Sequence, residues 1–291
     1  MRLLPRVRLR FKAIPPTAAA LHPSTFDFPI VTVWGFDYVL RVLSEKPWNR
    51  EVLLLFIAGL LISWCVGMLL GILLEQFLPP EALAKKSFYH FVITTLTLHV
   101  ATLVLVHHFL KLSGANWKQF LGLTRPYLAR AILFALVVGI VVLPIILSMS
   151  DWVAQLINSM AQHPPPEEPA IKVLRSTVGV GQRICFGVAA ILIAPVAEEA
   201  LFRGILYPFI KQLGRPRLAI WGTSLLFAAM HMNVVVFLPL MVLAMILTFV
   251  YEKTDKLVAP ITTHALFNSV NFFYFLYAPQ FDQLLRRLLH P

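Results

Sequence analysis

Residues 194–204 read APVAEEALFRG. They set two adjacent carboxylates, Glu198 and Glu199, and one guanidinium, Arg203, inside a run that otherwise belongs in hydrocarbon. An ionisable side chain near the centre of a bilayer costs about 2.5–3.5 kcal/mol by insertion scales, so it comes with partners, a wet cavity or a task. The rest of the chain supports the membrane setting. Of 291 residues, 58% are hydrophobic and 13% charged, about half the charged share of a soluble domain. Mean hydropathy is +0.77.

Working outward, several apolar stretches reach the about 20 helical residues that cross a hydrocarbon core. The pattern predicts an all-α, polytopic transmembrane bundle of about seven spans, with six or eight also compatible. They fall near 52–78, 88–111, 128–149, 180–210, 217–232, 234–251 and 258–277. Pro195, Gly204 and Pro208 predict a broken or re-entrant helix around 195–216. Residues 1–50 read as a basic N-terminal tail followed by an interfacial segment, where Trp34, Phe36 and Tyr38 suit a membrane–water boundary. Residues 51–291 read as a single transmembrane domain. The triple proline at 164–166 marks an exposed loop, and no strand alternation or repeat stands out.

The formal charge of +11 raises nucleic acid as a partner. In so apolar a chain, loop Lys and Arg more simply report orientation, and no nucleic-acid partner is expected. Sixteen Lys and Arg gather on the side of the N-terminal tail against six on the other, which predicts a cytoplasmic N-terminus. The basic start, MRLLPRVRLRFKAIPP, is followed by no continuous apolar core, so a tail is expected rather than a cleavable signal. Cys65 and Cys185 lie in apolar runs and predict two small buried side chains, with neither a disulfide nor a cysteine metal site.

Three polar motifs occupy three segments. In Glu198-Glu199-x3-Arg203, Glu199 and Arg203 are i and i+4 on one helical face. Glu198 points about 100° away, so one carboxylate can pair with the arginine while the other meets a different environment. In Phe227-x3-His231 the ring can form one wall of a pocket with the imidazole at its tip. In His264-x3-Asn268 the imidazole and the carboxamide share a face. Taken singly, each has a structural explanation: an ion pair between helices, an interfacial histidine, interhelical hydrogen bonding. His99, mid-span in a threonine-rich stretch, is expected to pack between helices, with a place on the same cavity as the alternative.

The ordered set resembles the CAAX prenyl protease and bacteriocin-processing (CPBP, Abi) family of intramembrane endopeptidases, which includes the Rce1-type proteases. The resemblance covers about 181–277. It implies that Glu198 activates a water with His231, that His264 and Asn268 stabilise the oxyanion, and that Arg203 braces Glu199. The residue chemistry agrees: peptide hydrolysis needs a base, an acid for the leaving amine, and donors where negative charge develops. The substrate implied is a membrane-associated or lipidated protein or peptide, and the setting is an integral membrane protein, in the plasma membrane if bacterial, in contact with lipid.

Two histidines and a glutamate can also hold a catalytic zinc, and Glu198, His231 and His264 would be the ligands. The compact His-Glu-x2-His helix is missing, so a metal-free site without cofactor is expected. A non-catalytic immunity or chaperone-like protein on the same scaffold is a competing class, and a transporter a more distant one. On a plain seven-span count His231 falls at the outer end of its helix and His264 near the inner end of another. The predicted break, or different helix boundaries, must bring them to one water.

Overall fold

A computed structural model of the chain describes residues 30–33, 36–39, 46, 48–77, 86–123, 127–160, 169–177 and 179–289. The chain divides after Val42 into two units. In the first, β1 (Ile30–Val33) pairs antiparallel with β2 (Phe36–Val39), with Ile30 opposite Val39 and Val33 opposite Phe36. Phe36 and Tyr38 of the expected interfacial segment lie on β2. Four-residue strands are too short to show a period, although their Ile, Val, Tyr and Phe suit a sheet. The basic tail, Trp34 and the triple-proline loop lie outside the described residues.

The second unit, Leu43–Pro291, is helical throughout its described elements. These are α1 (Arg50–Phe77), α2 (Lys86–Leu112), α3 (Trp117–Phe120), α4 (Leu128–Met160), α5 (Pro169–Ser176), α6 (Val180–Gln212), α7 (Pro216–Met230), α8 (Val234–Thr254) and α9 (Val258–Leu289). Among the described residues α1, α2, α4, α6 and α8 are long and apolar enough to cross a membrane. The protein is therefore an integral membrane protein built as a polytopic helical bundle. Its helices stand at all seven predicted span positions.

The predicted break is absent. α6 continues through Pro195 and Pro208 to Gln212. Two π-helical stretches, Ala189–Ile193 and Ala200–Leu206, precede the two prolines. Each widened turn shifts the hydrogen-bond ladder just where a proline has no N–H to give. What differs instead is α7. Its 15 residues rise about 22 Å at 1.5 Å per residue, short of a hydrocarbon core of about 30 Å. His231, at its C-terminal end, therefore lies within the bundle rather than at its outer edge.

α6 is the central helix: 44% of its most apolar window is buried, against 11% for α1 and for α2. Around it Phe202, Ile205, Phe227, Leu243, Ala244 and Leu247 form one core. α1 approaches α2 through glycines. Leu105 lies over Gly59, Thr97 over Gly67, and the His90 ring 3.4 Å from where a Gly71 Cβ would stand. The small-x3-small pair Gly67 and Gly71 is thus used within the chain. Cys65 and Cys185 are free and exposed, not buried as predicted. Apolar runs hide which face meets lipid.

Candidate active site

The site is assembled from four helices around α6. Glu199 and Arg203 are fully buried, at 0% and 1% exposure, and meet as the i,i+4 spacing predicts. Arg203 Nη1 donates to Glu199 Oε1 at 2.9 Å. Its Nη2 donates to the Ala244 carbonyl at 2.7 Å, and its Nε reaches Thr248 Oγ1 at 3.5 Å, both on α8. The guanidinium also lies over the Phe227 ring, 4.9 Å from its centroid. A buried cation needs a paired charge and satisfied donors, and Arg203 has both.

His264 Nδ1 lies 2.9 Å from Glu199 Oε1. Because an ionised carboxylate only accepts, the proton of this bond is on Nδ1, and Nε2 faces the other glutamate, 3.8 Å from Glu198 Oε2. Glu199 thus orients His264 much as a carboxylate orients the imidazole of a catalytic triad. His231 is fixed by the same logic. Its Nδ1 lies 2.8 Å from the Phe227 carbonyl, which can only accept. The neutral ring therefore offers an unprotonated Nε2, able to accept an O–H.

Phe227 joins the two histidines. Its ring lies 5.0 Å from His231 and 5.8 Å from His264, and it meets Phe202 edge-on at 5.3 Å. The fold answers the depth problem without a break in α6. α7 and α9 start from the same side, because α8 brings the chain back. α9 begins deep in the bundle, with Leu257 packed beside Gly204 of α6, so that His264 lies next to Phe227 near the end of α7. His264, His231 and His99 are all within electrostatic reach of Glu198.

Asn268 is turned toward α6. Its Nδ2 donates to the Ala190 carbonyl at 2.8 Å. The Ala194 N–H bonds Ala189 in the π register, so the next donor due at Ala190 is that of Pro195, which has none. One amide hydrogen of Asn268 takes that place, and the amide carries a second.

One residue at the site was assigned to packing on sequence grounds. His99 of α2 places Nε2 3.2 Å from Glu198 Oε1. The available signal was the face shared by Thr95, His99 and Thr102, a polar stripe at helical spacing in the middle of a span. As the side chains stand, Glu198, His231 and His264 do not fit a single metal ion. Among the described residues no three His, Cys, Asp or Glu side chains converge on such a point.

Comparison with known proteins agrees with the placement of the motifs. Residues 180–270 match the family described as type II CAAX prenyl endopeptidase Rce1-like. That range holds all seven motif residues and leaves out His99. The uncharacterized protein YpbD of Bacillus subtilis (strain 168) is 32% identical over 83 residues, which is 27% of this chain and 40% of that protein. No solved structure matches. Residues 180–270, about a third of the chain, are thus similar to a family of proteases.

Proposed function

We propose that the protein is an intramembrane endopeptidase that hydrolyses a peptide bond of a membrane-associated or lipidated protein or peptide. The observation that carries this reading is Glu198. It stands beside a buried, neutralised Glu199–Arg203 pair. Oε1 of Glu199 is held by both Arg203 and His264, whereas Oε1 of Glu198 meets only His99, and Oε2 of each is buried without a hydrogen bond within the chain. One carboxylate is committed to structure and its neighbour is free for chemistry, the separation that acid–base work requires.

In this mechanism Glu198 takes a proton from water as the water oxygen attacks the scissile carbonyl carbon. His231 accepts the second O–H through Nε2 and holds the water in line. His264, held by Glu199 through Nδ1–H and carrying a second proton on Nε2 as an imidazolium, donates Nε2–H to the oxyanion, and the second amide hydrogen of Asn268 does the same. Glu198 then passes its proton to the amine nitrogen as the C–N bond breaks, leaving an acid and an amine. Phe227 walls the pocket, and Arg203 braces Glu199. The reading is metal-free. Supporting it, the set does not converge as ligands among the described residues. The N-terminus is placed in the cytoplasm by the excess of Lys and Arg on its side.

The test is Glu198→Gln in proteoliposomes with a panel of farnesylated and unmodified CAAX-type peptides. The variant should fold and insert as the wild type does and lose cleavage, and exhaustive chelation should leave the wild type active. Cleavage by Glu198→Gln, or activity lost to chelation and restored by zinc, would overturn the mechanism. A wild type that cleaves nothing in the panel, yet protects a partner from proteolysis, would favour the non-catalytic class.

A further inference from the structure

We propose that His99 is a positioning residue for Glu198. It fixes one carboxylate oxygen with an N–H donor, so that the other oxygen takes the proton of the water. The inference rests on Glu198 being the base. It adds to the site a residue from α2, a helix outside the range that matches the protease family.

The geometry separates the two oxygens of Glu198. Oε1 lies 3.2 Å from His99 Nε2. Oε2 is buried, makes no hydrogen bond within the chain, and lies on the side of His264 Nε2, 3.8 Å away. An ionised carboxylate has no proton to give, so Nε2 carries the hydrogen of the His99 contact and the neutral ring leaves Nδ1 without one. Nδ1 is itself buried and makes no hydrogen bond within the chain. His99 therefore has one directional contact, and Glu198 receives it. Without that donor the carboxylate could rotate and exchange its two oxygens.

The backbone beneath His99 is built to hold it. Residues Thr95–Val100 form a π-helical stretch in α2, a feature found mostly as single widened turns and often at functional sites. Three side chains tie this turn down. Ser63 Oγ donates to the Thr97 carbonyl at 2.5 Å, Thr97 Oγ1 to Ile93 at 2.8 Å, and Thr102 Oγ1 to Leu98 at 2.5 Å. Gly67 on α1 has no side chain where Thr97 stands. If His99 served only to fill space, an ordinary helical turn with a Leu or Phe would suffice. A widened turn braced by three hydroxyls aims a polar tip.

The experiment compares His99→Leu, His99→Gln and His99→Asn with Glu198→Gln on the same peptide panel, with melting temperature in detergent as the folding control. Gln places its amide nitrogen near the position of Nε2, whereas Asn is one methylene shorter and falls short of Glu198. His99→Leu and His99→Asn should lower kcat about 10- to 100-fold with little change in KM, the range for losing a hydrogen bond to a charged group. His99→Gln should stay within a few-fold of the wild type. Should the leucine variant not fold, the contrast between Gln and Asn decides alone. Equal kcat in Gln and Asn variants, or a wild-type kcat in a folded leucine variant, overturns the inference. If Glu198→Gln is dead at the same time, Glu198 remains the base and only the role of His99 falls. If Glu198→Gln still cleaves, both fall.

Discussion

Arg203 meets five groups at once: Glu199, the Ala244 carbonyl, Thr248, and the rings of Phe202 and Phe227. Each was brought by the fold to a side chain that the motif only spaced against Glu199. Removing one partner of a buried pair leaves the other charge uncompensated, at a cost of about 3–5 kcal/mol. Arg203→Ala should therefore lose stability on that scale as well as activity. Arg203→Lys should not rescue it, because a single ammonium cannot span the carboxylate and the α8 carbonyl as the planar fork does. Denaturant unfolding in detergent measures the loss. A variant as stable as the wild type would show that Arg203 serves something other than Glu199.

At the scale of the helix, α6 shows why a proline-bearing segment need not break. The π-helical turns absorb the missing donors, and Asn268 from α9 supplies one of them at Ala190. The same helix is pinned where Gly204 stands. A Cβ there would run into the Phe120 ring and come within 3.2 Å of Leu257, while Trp48 Nε1 donates to the Gly204 carbonyl at 3.1 Å. Phe120 and Leu257 are both buried, so neither yields easily. Gly204→Ala should cost about 1–3 kcal/mol by overpacking, despite the better helix propensity of alanine. The melting temperature should fall accordingly. An unchanged or raised melting temperature would mean that the Phe120 ring moves aside freely.

For the whole molecule, the charge bias and the helix order make a single statement about sidedness. With the N-terminus inside, as the charge bias predicts, the α2–α4 connection would be cytoplasmic and α5 would lie on the opposite face. Lys118 and Lys172 are both exposed, which makes them usable probes. In a background without Cys65 and Cys185, Lys172→Cys should react with an impermeant maleimide added outside whole cells. Lys118→Cys should react only in inverted vesicles. The reverse pattern would place the N-terminus outside.

The chain by itself determined where the helices are and which polar side chains are spaced to share a helical face. A span is a matter of length and apolarity, and an i,i+4 motif is local, so both survive without tertiary information. Hence the positions of the predicted spans and the Glu199–Arg203 contact were legible. The N-terminal hairpin was not, because its strands are too short to carry a period. Only the tertiary structure decided the partnerships across helices: Glu198 with His99, Glu199 with His264 and Asn268 with Ala190, separated by 99, 65 and 78 positions. It also decided the depth of His231, through an α7 too short to cross, and the continuity of α6, through two widened turns. The physical reason is common to all of them. Apolar composition holds a helix in the membrane but is nearly blind to its rotation and its register against neighbours, and those are set by close packing at glycines and by buried polar atoms finding each other.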